Sequence, residues 1–176
     1  MPAIKDTCEN VIKDHIVRAV TDVFGTMLGH EVGDGEPCGN ARVASGERNT
    51  TLDPAPVMVV GTVGFLGDVN GLLYLYFDAT FATACTGVLL GMTQAEVAKS
   101  GAEVVNDAVG ELTNMIAGSF KNNLCNAGHT CKLTIPSILR GRNFVVEPTS
   151  SARRYAYRFD CLGHKIVTDI IMNQDE

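Results

Sequence analysis

The stretch from Ser100 to Leu124 constrains the fold most. At about 100° per residue, Val105, Ala108, Val109, Leu112, Met115, Ile116 and Phe120 line up on one broad apolar stripe. A long helix with such a stripe is stable only against another layer. The chain supplies that layer. Residues 57–66 and 71–77 read as strands joined by Gly67-Asp-Val-Asn-Gly71, a hairpin signal. Residues 131–135, 143–147, 155–161 and 164–172 read as further strands, the last two joined by a tight turn at Leu162-Gly163. Hairpins outnumber crossovers, so the spacing predicts an α/β protein with a largely antiparallel sheet.

A second long helix is expected over 5–31, where Val11, Ile12, Ile16, Val17, Val20, Val23, Phe24, Met27 and Leu28 recur at helical spacing and Gly29 offers a stop. Asp78 or Thr80 can cap a short helix running to Leu90 and ending at Gly91. Thr93-x-x-Glu96 and Ser100-x-x-Glu103 are two successive capping-box patterns, implying a short helix, a break near Gly101 and then the long one. Residues 33–56 are rich in Gly, Pro, Ser, Thr and Asn and read as a mobile loop within one domain spanning 1–176.

Composition narrows the function classes. A net charge of −6 over 176 residues disfavours a phosphate-backbone binder, so no nucleic-acid partner is expected. No apolar run approaches the roughly 20 residues needed to cross a bilayer, and residues 1–6 carry no secretory pattern, so the expectation is a cytoplasmic chain without a membrane partner. Six cysteines in a chain with ample core read as reduced, mostly buried thiols. Cys125-x3-His129-x-Cys131 is the nearest approach to a metal pattern, but it lacks a further ligand pair, and no metal is expected. His15, His30, His129 and His164 are scattered over termini and turns with no nucleophile pattern around them.

Chemistry is best sought on the far side of the long helix. Asp107, Glu111, Asn114, Gly118 and Lys121 share a sector of roughly 80° opposite the apolar stripe. Asp107 precedes Glu111 by four and Asn114 follows it by three, so the three side chains are surface neighbours. Gly118 costs the helix about 1 kcal/mol relative to alanine, which is tolerable if something must approach that backbone closely. On geometry alone a plain solvated face is the simpler reading. The Glu-x-x-Asn spacing also occurs at Glu103–Asn106, so by itself it is weak.

The stretch 106–121, NDAVGELTNMIAGSFK, closely resembles the active-site helix of chemotaxis phosphatases of the CheX and CheC type. That pattern has Asp or Ser, Glu four residues on, Asn three further, and a proline downstream. Asp107, Glu111 and Asn114 match it and select the second Glu-x-x-Asn; Pro136 stands close to the family's proline. Leu90-Gly91, Ala117-Gly118 and Gly163 also fit, over about residues 55–172. Glu9 and Asn10 are adjacent, without a Glu-x-x-Asn in the first helix, so CheX, with one active-site helix, is nearer than CheC, with two. The resemblance implies a CheC/CheX-like fold, a largely antiparallel sheet packed with two long helices.

It also implies hydrolysis of the aspartyl phosphate on a CheY-like receiver domain. Glu111 would pair with the receiver's lysine, and Asn114 would orient the attacking water. Asp107, Gly118 and Lys121 would contact the partner. The chain would need no cofactor of its own, with Mg²⁺ supplied by the receiver, and CheX-like pairing of sheets implies a homodimer. The alternative is a non-catalytic receiver-binding or flagellar-switch-type adaptor. Arg140, Arg142, Arg153, Arg154 and Arg158 concentrate positive charge late in the chain; a solvated sheet face is the preferred reading, steering of an acidic receiver the other. Tyr155, Tyr157, Phe159 and Cys161 alternate with Ala156, Arg158 and Asp160 as in a half-buried strand whose edge a second copy can meet.

Overall fold

The computed structural model describes residues 9–33, 35–37, 57–142, 144 and 146–173. Helix α1 (Glu9–Leu28) stops before Gly29, whose φ of +65° takes the chain out of the helix three residues earlier than the periodicity suggested. Residues 5–8 of that expected helix lie outside the described residues. So does most of the expected loop, but Glu36–Pro37 forms a short strand, β1, where no structure was expected. The two-residue strand is held by its pairing with a later one, not by its own propensity.

β2 (Met58–Gly67) and β3 (Gly71–Asp78) form the expected hairpin, with Asn70 closing the turn by accepting from Gly67 N–H at 3.1 Å. Asp78 then caps α2 (Ala79–Leu90), accepting from Phe81 N–H at 2.8 Å, and Gly91 ends it at φ +64°. α3 (Gln94–Ser100) opens with a complete Thr93/Glu96 capping box. The second box expected at Ser100 and Glu103 does not form. Ser100 Oγ donates back to Glu96 O at 2.9 Å, and Gly101, at φ +88° and ψ 179°, caps α4 (Ala102–Asn126) without a side-chain bond. The turn between the helices is too sharp for Ser100 to reach forward.

β4 (Cys131–Leu133) is followed by β5 (Ser137–Gly141), where no strand was expected; of the strand expected over 143–147, residues 143 and 145 lie outside the described residues, and Phe144, Val146 and Glu147 are not in a strand. The apolar run there looked the better strand by composition. It is long-range pairing that makes β5: Met58 to Thr62 on β2 align with Gly141 to Ser137. Phe144 instead packs against the sheet from a loop. β6 (Ala152–Cys161) and β7 (His164–Asn173) form the last hairpin, with Leu162 and Gly163 at φ 52° and 78°.

The described strands form one antiparallel sheet, ordered β1-β6-β7-β3-β2, with β4 and β5 sharing the outer edge of β2. The helices cover one face. Phe24 of α1 stacks on Phe81 and tilts against Phe77, while Phe120 of α4 meets Phe65 of β2 edge-on. The other face is buried where Met58, Val60, Tyr76, Ala156 and Val167 cluster with Tyr74 and Phe144. Beside that cluster Arg154 makes a two-pronged ion pair with Asp169, at 2.9 and 2.7 Å. Arg154 is therefore not part of a solvated sheet face, and Ala156 makes β6 buried on both sides rather than one. No described helix is long and apolar enough to cross a membrane.

Candidate functional site

Twenty-five residues give α4 a length of about 37 Å, enough to run the whole height of the sheet. Its inner side is set by the apolar stripe, and Val105, Val109, Leu112, Ile116, Phe120 and Leu124 are all buried. Thr113, also buried, donates its hydroxyl to Val109 O at 2.7 Å, so the polar atom is satisfied within the helix. The helix seats unusually close to β2 at this level, because a Cβ on Gly61 would collide with the Thr113 side chain.

Asp107, Glu111 and Asn114 all stand exposed on the opposite side, with Gly118 and Lys121 half-exposed along the same line. Among the described residues none of the three polar side chains is engaged by a hydrogen bond or ion pair. A Cβ on Gly118 would meet nothing within 4 Å, so the fold itself gives no steric reason for glycine there. The other Glu-x-x-Asn differs in this respect: Asn106 is occupied, its Oδ1 accepting from Arg140 Nε at 2.8 Å.

β5 forms one bank of this exposed face. Arg140 meets Asn106, and Ile138 Cδ1 lies 3.8 Å from the Cβ position of Gly110. Two residues of strand rise by about 6.6 Å and four of helix by about 6 Å, so strand and helix keep step as they run antiparallel. Pro136 lies just ahead of β5 and is half-buried. The segment just before it is pinned to the sheet, Thr134 N–H donating to Gly64 O at 2.8 Å and Gly64 N–H to Thr134 Oγ1 at 2.9 Å. The helix residues and Pro136 are the candidates expected from the sequence; the Asn106–Arg140 link, which joins positions 34 apart, was not among them.

The chemistry open to this face follows from its groups. A carboxamide has no useful basicity, so Asn114 cannot act as a general base, but it can donate one hydrogen bond and accept another. Two carboxylates offer anchoring to a cation. Among the described residues no three His, Cys, Asp or Glu side chains converge as a metal site. Cys85, Cys131 and Cys161 are buried and Cys125 partly so, all as free thiols; Cys8 and Cys38 lie outside the described residues. Burial pushes the Cys85 thiol up to about 12 and raises Cys131 and Cys161 as well, which keeps them protonated and unreactive. His164 is committed to Asp78, Nδ1 to Oδ2 at 2.9 Å, and lies against Phe81. Partial burial lowers the His15 pKa.

The sequence pattern of the family described as Chemotaxis phosphatase CheX matches residues 59–160, from β2 to the end of β6. No curated protein matches the chain. Solved structures do. A chemotaxis protein CheX from Desulfovibrio desulfuricans is similar at 25% identity and a TM-score of 0.68, over 92% of this chain and 99% of that one. The chemotaxis protein CheX from Vibrio vulnificus, at 21% identity, reaches a TM-score of 0.74 over 92% and 99% of the two chains. A CheX–CheY–BeF3–Mg²⁺ complex from Borrelia burgdorferi aligns at 22% identity and TM-score 0.66, over 91% and 96%. The last two bear on the fold alone.

Proposed function

The chain belongs to the CheX family of chemotaxis phosphatases, and from that premise we propose that it hydrolyses the aspartyl phosphate of a CheY-like receiver domain through the exposed face of α4. The observation that carries this reading is an asparagine, Asn114, that stands exposed one turn from an equally exposed Glu111, neither engaged by a hydrogen bond or ion pair among the described residues. By analogy with the Borrelia CheX–CheY–BeF3–Mg²⁺ complex, whose CheX shares this fold, the partner in this reading is a receiver that brings its own Mg²⁺.

The step is a displacement at phosphorus. Water oxygen bonds to phosphorus as the bond from phosphorus to the aspartyl oxygen breaks, giving a free carboxylate and inorganic phosphate, with the water's proton leaving to the phosphate. The barrier is governed by alignment and charge stabilisation, so a helper need only fix the water in line. Asn114 does this by accepting a hydrogen bond from the water through its carboxamide oxygen and donating another from its amide nitrogen on the same, attacking side of the phosphoryl group. Glu111 pairs with a receiver lysine and locks the helix in place. Asp107, Gly118 and Lys121 complete the contact, Gly118 by leaving room for a partner's backbone.

Decay of a phosphorylated receiver tests the reading. Asn114→Ala should lower turnover about 10²–10³-fold, the usual effect of losing one oriented polar group, while largely keeping binding. Glu111→Ala should weaken both. Equal decay with and without the wild-type chain, on CheY receivers that it binds, would leave only an adaptor. Self-association as a homodimer belongs to the same proposal. β1 already occupies the edge of β6 at Tyr157 and Arg158, so a second copy pairing there would use residues 152–156. Sedimentation as a monomer at tens of micromolar, an order-of-magnitude choice, would count against it.

A further inference from the structure

We propose that Arg140 is a partner-positioning residue, held at the rim of the α4 face to draw in and orient the anionic face of a phosphorylated receiver; this rests on the function proposed above. The face poses an electrostatic problem. It carries Asp107 and Glu111, with Glu103 exposed one turn earlier, on a chain of net charge −6. A partner presenting a phosphoryl group and its carboxylates would meet repulsion there, and like charges facing each other across an interface are costly.

Arg140 answers this. It is exposed on β5, and its Nε is fixed by Asn106 Oδ1 at 2.8 Å, immediately before Asp107 on the helix. Among the described residues its guanidinium makes no ion pair, so none of their carboxylates cancels its charge. The contact of Ile138 with the Gly110 position keeps β5 against α4, so the strand that carries Arg140 stays beside the helix face. Of the late arginines, Arg154 is spent on Asp169 in the sheet, whereas Arg140 borders the candidate site.

The test is steady-state dephosphorylation of a CheY receiver at low and high NaCl, with association rates measured on the same receiver loaded with beryllofluoride and Mg²⁺. Arg140→Glu should raise KM and slow association about tenfold at low ionic strength, with kcat within about twofold, because a rim charge acts on encounter. The gap should shrink toward about 1 M salt, where the Debye length falls to about 3 Å. Arg140→Lys should recover most of the association rate, since it keeps the charge but cannot make the Nε bond. Arg140→Glu with unchanged KM and salt slope overturns the proposal. So does Arg140→Lys as impaired as Arg140→Glu, which would make the residue a mere staple between β5 and α4. If the wild-type chain binds the loaded receiver but does not accelerate decay, the catalytic reading fails alone and association rates judge Arg140. No binding by wild type overturns both.

Discussion

Gly61 and Gly118 are both glycines beside or on the same helix, and their substitution should have opposite consequences. At Gly61 an added methyl would strike Thr113, so Gly61→Ala should cost about 1–3 kcal/mol in chemical denaturation, with Thr113→Ala in the same chain restoring part of it. At Gly118 the methyl points into open space, and Gly118→Ala should stabilise the chain by about 0.5–1 kcal/mol. If a receiver backbone approaches that spot, the more stable variant should also show the higher KM. Sequence reading identified Gly118 as a helix residue whose cost wanted a reason. It had no means to single out Gly61, because the clash lies between a strand and a helix about fifty residues apart.

The capping boxes separate local pattern from local geometry. Thr93 N–H donates to Glu96 Oε2 at 2.8 Å and Glu96 N–H to Thr93 Oγ1 at 3.3 Å, as the tetrapeptide suggested. Ser100 and Glu103 have the same spacing, but Gly101 turns the chain between them. Thr93→Ala should therefore cost about 1 kcal/mol by thermal or urea unfolding, and Ser100→Ala only a few tenths. The pH dependence follows. The Thr93 backbone bond, then its hydroxyl, hold the Glu96 carboxyl below its ordinary 4.5. Its contribution is present above that ordinary value and is lost as pH falls through the lowered one. Carboxyl-carbon NMR titration should place Glu96 higher in the Thr93→Ala chain than in wild type. A similar contrast explains β5: nothing in Ser-Ile-Leu-Arg-Gly advertises a strand, while 143–147 does, and only the free edge of β2 selects between them.

Across the whole molecule, the two faces of the sheet were unequally legible. The helix-covered face followed from amphipathic periodicity, which is why α1, α2, α4 and the hairpins emerged nearly intact. The opposite face did not, because its buried polar pair joins Arg154 and Asp169 across two strands whose sequences show only scattered charge. Burial raises the Asp169 carboxyl while Arg154 pulls it down. Arg154→Met should thus be severe, about 3–5 kcal/mol, by leaving a carboxylate without its guanidinium in a closed site. Replacing both by apolar residues of like size should recover much of that loss. Calorimetry on the three variants reads the difference. The exposed row of candidate residues on α4 was legible because one helix carries it; the bank formed by β5 was not, since it is assembled by tertiary contact.

That single-helix origin has a thermodynamic corollary. Constellations gathered from several loops are scrambled by small rearrangements long before a protein melts. Here the rungs at 107, 111 and 114 share one continuous hydrogen-bonded rod whose opposite flank is the centre of the core, so breathing of the sheet margins leaves their mutual spacing untouched. Loss of activity on heating should accordingly coincide with cooperative unfolding rather than precede it.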